Sequence, residues 1–455
     1  MSNKLPNDLI NSLRNDPSFD AEAFVAIHQE EEKTSSIRLN PLKPFPMDGL
    51  AIDKNIPWCK DGLYLKERPV FTLDPFFHAG CYYSQEASSM FLAYAIEQLE
   101  IADQPIKALD LCAAPGGKST LLNSSLHKES LLVANEIIKA RVNILSDNLM
   151  RWGRENVVVT NNDPSAFQHL PGYFDLLVVD APCSGSGMFH KDHTAMDEWS
   201  LANVKLCSER QKRILANSMT SLSEGGVLFY STCSYSSEEN EDIVDWMIGE
   251  FGMESIYIPV DEDWGIQLTE SPMHKAAGYR FYPHRVHGEG FFFAALRKKT
   301  VQVGFSLKKV KLDKNNAPQH VAQQWLDMSG LFTFQHQDFL HVFPKQYEQD
   351  LKALQNVLYL KNAGTNIGKW IGRELLPSHD LAMSVRIHKD LPSLGLDLDM
   401  ALDYLRKEAL DGSVQTDGLK GWVLVRYQHV YLGWIKVMAN RINNYYPKEL
   451  RICRL

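Results

Sequence analysis

Six short apolar runs in the middle of the chain, separated by helical patterns, constrain its fold more than any other feature. They comprise residues 107–111, 131–134, 157–160, 176–179, 226–230 and 291–296. Each is rich in β-forming residues, as is typical of strands covered on both faces. Helical spacing between the runs is shown by Ile138, Val142, Leu145 and Leu149, and again by Leu215, Met219 and Leu222. Strands that alternate with helices predict an α/β fold built on a doubly wound sheet.

Two of these runs end shortly before a cysteine that lies among small polar residues. Cys183 lies three residues after Asp180, and Cys233 follows Thr232. Ligands bind a doubly wound sheet where its strands end, so both thiols are expected at the ligand-binding edge. Because a thiolate is the nucleophile that proteins use most readily near neutral pH, the pair indicates covalent chemistry. The alternative is structural, since most free cysteines pack in cores, and Cys207 on a helical face fits that alternative.

Length and cysteine usage exclude several classes of protein. A chain of 455 residues is long enough for about three domains. Its seven cysteines include no CxxC pair, and no signal-like apolar run opens the sequence. A disulfide framework and a zinc knuckle are therefore not expected, and no stretch reaches the roughly 18 apolar residues of a membrane span. We expect a cytoplasmic, monomeric protein that has no resident metal and does not bind membranes.

Charge is distributed unevenly along the chain. The net charge is −9, yet from residue 420 onward seven basic residues face one glutamate, so this segment carries about +6 and the remainder about −15. Aromatic residues lie among these basic ones, at Trp422, Tyr427, Tyr431, Trp434, Tyr445 and Tyr446. Such a mixture suits phosphate contacts and base stacking, which makes Lys436, Arg441 and Lys448 candidate RNA-binding residues. Alternatively, the aromatic residues form the core of a small β-rich domain.

The first predicted strand leads into a turn of small residues, LDLCAAPGGKS at 109–119, where backbone can approach a ligand closely. A P-loop would require glycine in place of Cys112, and no GxGxxG fingerprint is present. Glu136, Asp163 and Asp180 follow the second, third and fourth strands, so carboxylates edge the cleft. They would repel phosphates but accept the ribose hydroxyls, adenine amine and sulfonium of S-adenosylmethionine. This cofactor fits best, and solvated strand-end acids are the alternative.

A basic run follows the sixth strand, from Arg297 through Lys299 and on to Lys308, Lys309 and Lys311. It marks a boundary, and a solvated linker is its simplest interpretation. We therefore divide the chain into an N-terminal RNA-binding extension (1–75), an α/β domain (76–300), a linker or intermediate domain (301–385) and a C-terminal β-rich domain (386–455).

Several segments together resemble the motif series of the Sun-type RNA cytosine-5 methyltransferases. In order, they are LDLCAAPGGKS (109–119), Asn135-Glu136, DAPCSGSGMF (180–189) and YSTCSYSSEENE (230–241). Segments 74–90 and 279–293 are also similar to that family, and 377–379 and 433–452 resemble the tail of RsmF-like bacterial ribosomal RNA methyltransferases. The resemblance implies a Rossmann-like methyltransferase sheet and a C-terminal PUA-like RNA-binding fold. The sequence departs from the family pattern at 190–193, where His190 and His193 replace the expected arginine and proline.

Site roles follow from this resemblance. Cys233 is implied as the nucleophile, Cys183 as the group that assists product release, Asp180 as the group that activates the base, and Lys118 as a contact to the target base. The implied S-adenosylmethionine site comprises Asp110, Cys112, Ala113, Ala114, Pro115, Gly116, Gly117, Lys118, Glu136, Arg141, Asp163 and Asp180. Small-subunit (16S) ribosomal RNA is the implied substrate and partner.

The chemistry explains why two thiols and a carboxylate are needed. Carbon 5 of cytosine is a weak nucleophile, so a thiolate must first add at carbon 6. A protonated Asp180, its pKa raised by burial and by neighbouring carboxylates, would donate to the pyrimidine as negative charge grows there. Cys183 would promote loss of the carbon-5 proton before Cys233 leaves. The target base must also leave its stack, which favours single-stranded or loop RNA.

Other functions remain open at this stage. A DNA cytosine methyltransferase would use Cys183 as its nucleophile and would not need Cys233. A P-loop nucleotide hydrolase would explain Gly117, Lys118 and Ser119 but not the carboxylate series. A transfer-RNA cytosine-5 methyltransferase would share the same motifs. A non-catalytic ribosome-assembly factor would tolerate the loss of either thiol, whereas this chain has both.

Overall fold

The computed structural model describes residues 5–14, 19–30, 34–192, 194–306, 319–372, 374–410, 416 and 418–453. Sequence-based predictions that involve His193, Lys308, Lys309, Lys311 and Arg454 lie outside the described residues.

The N-terminal part of the chain forms two short helices and a four-stranded sheet. Its elements are α1 (Asn7–Leu13), α2 (Ala21–Ile27), β1 (Ser35–Leu39), β2 (Ile52–Ile56), β3 (Cys59–Leu65), α3 (Pro75–His78) and β4 (Tyr82–Ser84). The strands pair antiparallel in the order β2-β3-β1-β4. From β1, buried Arg38 donates to Gln85 at 2.8 Å and to Thr120 at 2.7 Å, which ties this sheet to the central part of the molecule.

The central sheet contains all six predicted strands. Its region comprises α4 (Phe91–Gln98), β5 (Lys107–Asp110), α5 (Gly117–Ser125), β6 (Leu131–Asn135), α6 (Lys139–Trp152), β7 (Val157–Thr160), β8 (Phe174–Asp180), α7 (Thr194–Glu198), α8 (Leu201–Ser218), β9 (Leu222–Thr232), α9 (Glu241–Phe251), β10 (Met253–Ile256), β11 (Gln267–Glu270), β12 (Ala277–Phe281) and β13 (Phe291–Lys298). The strand order is β11-β12-β13-β9-β8-β5-β6-β7, and β10 pairs with β13. A later strand, β16 (Leu360–Ala363), adds to the edge beside β7. Apolar clusters cover both faces, as the near-continuous apolar strands predicted.

The centre of this sheet is parallel, and its topology fixes where a ligand binds. From β5 the chain proceeds outward through β6 and β7 on one side, then returns to build β8 and β9 on the other. The strand order therefore reverses between β5 and β8. In open α/β sheets the crevice at such a switch point binds ligands. Asp110 and Asp180 end these two strands.

Two details of the sequence interpretation were wrong. The helix predicted through Leu222 ends at Ser218, and Leu222 instead begins β9. The basic run is not simply a solvated linker, because β13 continues through Lys298. The ammonium of Lys298 is buried and donates to the carbonyls of Met219 and Leu222, both at 2.8 Å. A lysine with satisfied donors can thus extend a buried strand.

The remaining elements build two more sheets and complete the central one. They are α10 (Gln319–Ala322), β14 (Leu331–His336), β15 (Phe339–Pro344), α11 (Glu348–Val357), β16 (Leu360–Ala363), β17 (Thr365–Ile371), β18 (Glu374–Pro377), α12 (His379–Met383), β19 (Ser393–Leu396), α13 (Leu398–Leu405), β20 (Gly421–Tyr427), β21 (Val430–Met438) and β22 (Arg441–Asn444). Strands β14-β15-β17-β18 form an antiparallel sheet, and β19-β20-β21-β22 form a mixed one. Strand β16 pairs antiparallel with β7 at the edge of the central sheet.

The C-terminal aromatic residues divide between core and surface. Trp434 and Tyr446 are buried, whereas Tyr445 is exposed and its ring lies 4.5 Å from that of Trp422. One apolar cluster contains residues of both the C-terminal and the N-terminal sheets, and Ile37 belongs to it. No helix among the described residues combines the length and the apolar character that crossing a membrane requires.

Candidate active site

A cavity of about 320 Å³ opens at the switch point of the central sheet. It is lined by the loop that leads into α5, the ends of β8 and β9, the start of β13 and the chain around β4. The lining residues are Tyr83, Ser84, Gln85, Glu86, Ser89, Cys112, Ala113, Ala114, Pro115, Gly117, Lys118, Asp180, Met188, Cys233, Glu289, Gly290 and Phe291. Its volume lies in the range of small-molecule sites. The fold thus places Lys118, Asp180 and Cys233 around one space.

The two cysteines predicted to work together are in contact. The Sγ atoms of Cys183 and Cys233 lie 2.9 Å apart, and both thiols are free and half-buried. Gly187 allows this approach, because its backbone N–H donates to the carbonyl of Cys233 at 2.8 Å. A Cβ atom at Gly187 would lie 2.7 Å from that oxygen and 2.5 Å from the carbonyl of Gly290. Only glycine therefore fits where the two cysteine loops cross.

Lys118 and Asp180 form an ion pair beside the thiols. The Lys118 ammonium lies 2.8 Å from Oδ2 of Asp180, and the Ser231 hydroxyl donates to Oδ1 at 2.7 Å. Burial lowers the pKa of Lys118, but the charge of Asp180 outweighs burial and the net pKa is raised. Each carboxylate oxygen of Asp180 thus has a donor beside it. The proton-donating role assigned to Asp180 stays a prediction.

A buried carboxylate, Glu239, joins the two cysteine loops. It accepts the backbone N–H of Ser184 at 2.7 Å and the Ser184 hydroxyl at 2.6 Å. The Ser234 hydroxyl donates to it at 2.5 Å. Each serine directly follows one of the cysteines. The sequence interpretation gave Glu239 no role, although an acid among serines shortly after Cys233 was a visible signal.

The predicted cofactor loop has a backbone that a ligand can approach. Gly116 has φ of +115°, a conformation that favours glycine, and caps the first turn of α5. Asp110 lies below the loop, fully buried, and accepts the Ser119 hydroxyl at 2.6 Å. Burial raises the pKa of Asp110 to about 7, and the charge of Asp180 adds to this effect. Asp110 therefore supports the loop and does not line the cavity.

Glu136 and Arg141 brace the same loop from the side. Glu136 is almost fully buried, accepts the backbone N–H of Ile138 at 2.8 Å and lies 3.5 Å from the Arg141 guanidinium. Arg141 donates to the carbonyl of Ala114 at 2.6 Å. Asp163 is exposed, and it caps the turn at Pro164–His169 by accepting the N–H and hydroxyl of Ser165. These three residues surround the cavity without lining it.

Several cavity residues were not predicted as site residues. Glu86 is held by the backbone N–H groups of Ser88, Ser89 and Glu289, each at 2.9 Å. Tyr83, Gln85, Met188 and Phe291 complete the walls. Segments 74–90 and 279–293 contain most of them. The family resemblance included both segments, but nothing in their spacing along the chain indicated that they meet at the cavity.

Of the predicted RNA-binding residues, Lys436 and Arg441 lie on the C-terminal sheet and Lys448 lies in a turn that follows it. Lys436 is engaged there, because its ammonium lies 2.7 Å from Glu374 and 4.9 Å from the centre of the Trp422 ring. Arg441 and Lys448 are exposed.

Comparison with known proteins assigns this chain to a family. The family model for 16S rRNA methyltransferase RsmB/F matches residues 98–297, that for the N-terminal domain of 16S rRNA methyltransferase RsmF matches 5–87, and that for the methyltransferase RsmF PUA domain matches 392–452. Ribosomal RNA small subunit methyltransferase F of Vibrio parahaemolyticus is 30% identical over 94% of this chain and 93% of its own length. The enzyme of the same name from Psychromonas ingrahamii is 28% identical over 94% and 93%.

Solved structures show the same fold. A methyltransferase homologue from Pyrococcus horikoshii is 27% identical, with a TM-score of 0.52, over 65% of this chain and all of that one. NSun6 from the same organism, solved with the S-adenosylmethionine analogue SFG, is 22% identical, with a TM-score of 0.53, over 65% and 98%.

Fold, cavity and loop define a Rossmann-like, S-adenosylmethionine-dependent methyltransferase with a C-terminal PUA domain. Within that class, the chain belongs to the family of 16S ribosomal RNA methyltransferase F, RsmF.

The cavity fits S-adenosylmethionine. Small residues at 113–117 expose backbone to it, and Asp180 offers a carboxylate to a cationic ligand. Phe291 and Met188 give it an apolar wall. Family membership and geometry therefore agree on the cofactor.

Proposed function

We propose that this protein is an RNA (cytosine-5)-methyltransferase that methylates 16S ribosomal RNA through a covalent adduct between Cys233 and cytosine. The observation that carries the proposal is the contact between the Cys183 and Cys233 thiols at the wall of a cavity that Cys233, Lys118 and Asp180 line. Methylation of a nitrogen or of a ribose hydroxyl needs no thiol. Carbon 5 of a pyrimidine does, because it becomes nucleophilic only after a thiolate adds at carbon 6.

Cys233 begins the reaction. Its thiolate forms a bond to carbon 6, and the electrons of the 5,6 double bond shift toward carbon 5 and the ring carbonyl. The Lys118 ammonium faces the site and stabilises the thiolate before addition. S-adenosylmethionine, when bound, supplies the methyl group that carbon 5 then takes.

Lys118 and Asp180 neutralise the charge that develops on the ring. Addition of the thiolate places negative charge on nitrogen 3 and oxygen 2 of the base. The ion pair at 2.8 Å holds one proton between an ammonium and a carboxylate, and it can present that proton to the base with little reorganisation. We therefore assign this role to Asp180 and Lys118 together.

Cys183 completes the cycle. After methylation, carbon 5 still carries its original hydrogen, and this proton must leave to restore the double bond. As it leaves, the bond between carbon 6 and the Cys233 sulfur breaks and its electrons return to the thiolate. Once Cys233 is bonded to carbon 6, Cys183 loses its own proton to solvent, and its thiolate then accepts the carbon-5 proton directly or through a water molecule. Its sulfur lies 2.9 Å from that of Cys233.

The substrate assignment is supported by the relatives, which are named as methyltransferases of small-subunit ribosomal RNA. The N-terminal sheet and the C-terminal sheet flank the catalytic domain and share one apolar cluster. We propose that both contact the RNA and that the basic C-terminal residues supply the attraction to phosphate.

Bisulfite sequencing of 16S ribosomal RNA tests the proposal. Cells that lack the protein should lose protection of at least one cytosine, and the wild-type gene should restore it. A gene with Cys233→Ala should not, whereas the matched change Cys453→Ala, at an exposed cysteine outside the cavity, should restore protection fully. Unchanged protection in cells without the protein would contradict the proposal.

A further inference from the structure

Glu239 occupies an unusual position for a buried acid. Its side chain is inaccessible to solvent and lies between the loop that contains Cys183 and the loop that contains Cys233. A buried carboxylate is costly unless several hydrogen bonds compensate its charge. Here the compensation comes from the residues that follow the two thiols.

The hydrogen bonds divide evenly between the two carboxylate oxygens. Oε1 accepts the Ser184 N–H at 2.7 Å and the Gln211 amide at 3.4 Å. Oε2 accepts the hydroxyls of Ser184 at 2.6 Å and Ser234 at 2.5 Å. These four donors are all neutral, so none of these contacts pairs Glu239 with a cation. Burial raises the pKa of the Glu239 carboxyl, and the hydrogen bonds from Ser184 and Ser234 oppose that rise. The backbone of Glu239 is fixed too, because the Tyr230 hydroxyl donates to its carbonyl at 2.6 Å.

The charges around the two thiols are unequal. The Lys118 ammonium interacts with Cys233, whereas the Glu239 carboxylate acts on Cys183. Contact with Cys233 and burial raise the pKa of the Cys183 thiol, and Glu239 raises it further. Of the other titratable groups, Cys207 and Tyr235 interact with Cys233, Tyr230 interacts with Cys183, and Asp180 lines the cavity with Cys233. None of these supplies a second cation.

We propose that Glu239 is a positioning residue: its hydrogen bonds hold the loops of the two thiols together, so that Cys233 faces Lys118 in the cavity and reacts first, and Cys183 gives up its proton only after Cys233 has bonded to carbon 6. The inference rests on the proposed function, in which Cys233 is the nucleophile. Two thiols in contact cannot both ionise without strong repulsion, so the site needs a device that selects one of them. Glu239 beside Cys183 and Lys118 beside Cys233 provide that selection.

Alkylation of the RNA-free, full-length protein tests the electrostatic half of the proposal. Iodoacetamide reacts with thiolates, and mass spectrometry gives the separate rates at Cys183 and Cys233. We expect Cys233 to react faster in the wild type at pH 7. Glu239→Gln keeps the size and most hydrogen bonds but removes the charge, and it should reduce the ratio of the two rates about tenfold, as a relative change of one pKa unit would.

Two control variants separate charge from geometry. Glu238→Gln makes the same chemical change at the neighbouring exposed residue and should leave the ratio unchanged. The double variant Ser184→Ala/Ser234→Ala keeps the carboxylate but removes its hydroxyl donors. It should slow formation of a Cys183–Cys233 disulfide by the oxidant diamide, because the loops are no longer held together. A wild-type ratio in Glu239→Gln, or a wild-type disulfide rate in the serine variant, would overturn the proposal.

Both measurements are made without RNA, so they can fail independently of the proposed function. If Cys233 reacted faster than Cys183 as expected but the protein did not methylate cytosine, this would count against the proposed function and not against the role of Glu239. An unchanged ratio of the two alkylation rates in Glu239→Gln, with methylation retained, would count only against the role proposed for Glu239. A thermal melt of each variant identifies any that has unfolded, and Glu239→Gln is chosen because Glu239→Ala would leave buried serine donors unpaired.

Discussion

At the scale of single residues, the chemistry of the cavity depends on two thiols that are alike in type and different in surroundings. Cys233 lines the cavity beside Lys118, whereas Cys183 lies behind it, next to the carboxylate of Glu239. The first position suits a nucleophile that must reach the base. The second suits a group that acts after the methyl group has arrived.

Substitution of each thiol should give a different product with RNA. Cys233→Ala should abolish methyl transfer by several orders of magnitude, because carbon 5 is no longer activated. Cys183→Ala should allow addition and methylation but slow the release of the base. A covalent protein–RNA complex that survives a denaturing gel should therefore accumulate with Cys183→Ala alone. If Cys233→Ala trapped RNA instead, the two roles would be reversed.

Glu136 allows a test of the cofactor site. We expect Glu136→Ala to weaken S-adenosylmethionine binding by about 1–3 kcal/mol, the cost of leaving buried polar partners unsatisfied. Two contributions are expected: the family resemblance implies that Glu136 accepts ribose hydroxyls, and in the structure Glu136 lies beside Arg141, which donates to the cofactor loop. Calorimetry measures the affinity, and Arg141→Ala separates the two contributions. Unchanged affinity in Glu136→Ala would refute both.

The sequence was informative for residues whose neighbours along the chain define them. Cys183 and Cys233 were predicted because each ends a strand within a distinctive motif, and the structure brings them together. Glu239 was missed because its role exists only where two loops, separated by about fifty residues, meet. Nor could the sequence show that Lys118 and Ser231 both donate to Asp180, since the three residues are far apart along the chain.

At the scale of elements, the end of β5 makes stability depend on pH. Asp110 is buried with a pKa of about 7, well above its usual value of 3.8. The folded state therefore keeps the proton while the unfolded state loses it, so this contribution to stability is present below pH 3.8 and is lost as the pH rises through 7. The difference between the folded and unfolded pKa values corresponds to about 4 kcal/mol of stability at most.

The variant Asp110→Asn lacks this titration. Relative to the variant, the wild type should lose stability between pH 4 and pH 7, and the difference should level off at higher pH. Denaturant unfolding at a series of pH values measures it, with Asp175→Asn, at an exposed carboxylate, as the control. Parallel curves for the wild type and Asp110→Asn would mean that Asp110 is ionised in the folded protein.

Strand β16 shows how an element can belong to a sheet that is distant in sequence. It lies about sixty residues after β13, yet it pairs with β7 at the edge of the central sheet, and Leu360 is buried there. Leu360→Ala should destabilise the protein by about 2–5 kcal/mol, as large-to-small core substitutions do. Ile371→Ala, at an exposed site in the same segment, should change stability by less than about 0.5 kcal/mol. Equal denaturation midpoints for the two variants would contradict this pairing.

Strands with strong apolar patterns were predicted well, and the exceptions have physical causes. All six predicted strands are present because each is buried on both faces. Leu222 continued a helical spacing but begins a strand, since periodicity cannot locate a boundary within one turn. β16 was not predicted. This edge strand, Leu360–Ala363, has only four residues and is too short to show a recognisable periodicity.

At the scale of the whole molecule, the N-terminal and C-terminal sheets are joined. Ile37 and Tyr82 share an apolar cluster with Tyr404 and Val423, and the Tyr446 hydroxyl lies 3.3 Å from a nitrogen of His78. Removal of residues 386–455 would therefore expose apolar surface on the N-terminal sheet as well as removing basic residues. Point substitutions on the surface are the cleaner test of RNA binding.

Among the three candidate RNA-binding residues, Arg441 and Lys448 should account for most of the salt dependence of RNA affinity. Arg441 and Lys448 are exposed, whereas Lys436 is already paired with Glu374 at 2.7 Å. For single-stranded RNA each phosphate contact contributes about 0.7 to the slope of log affinity against log salt. Arg441→Ala/Lys448→Ala should therefore reduce the slope by about 1.4, and Lys436→Ala should change it little.

Filter binding across salt concentrations measures this slope, and a thermal melt confirms that each variant is folded. The affinity for S-adenosylmethionine should stay unchanged, because the substituted residues do not line the cavity. An unchanged slope in the folded double variant would place the phosphate contacts elsewhere. The basic residues of α6 and the turn after it, Lys139, Arg141, Arg151 and Arg154, would then be the next to substitute, since Arg141 among them contacts the cofactor loop.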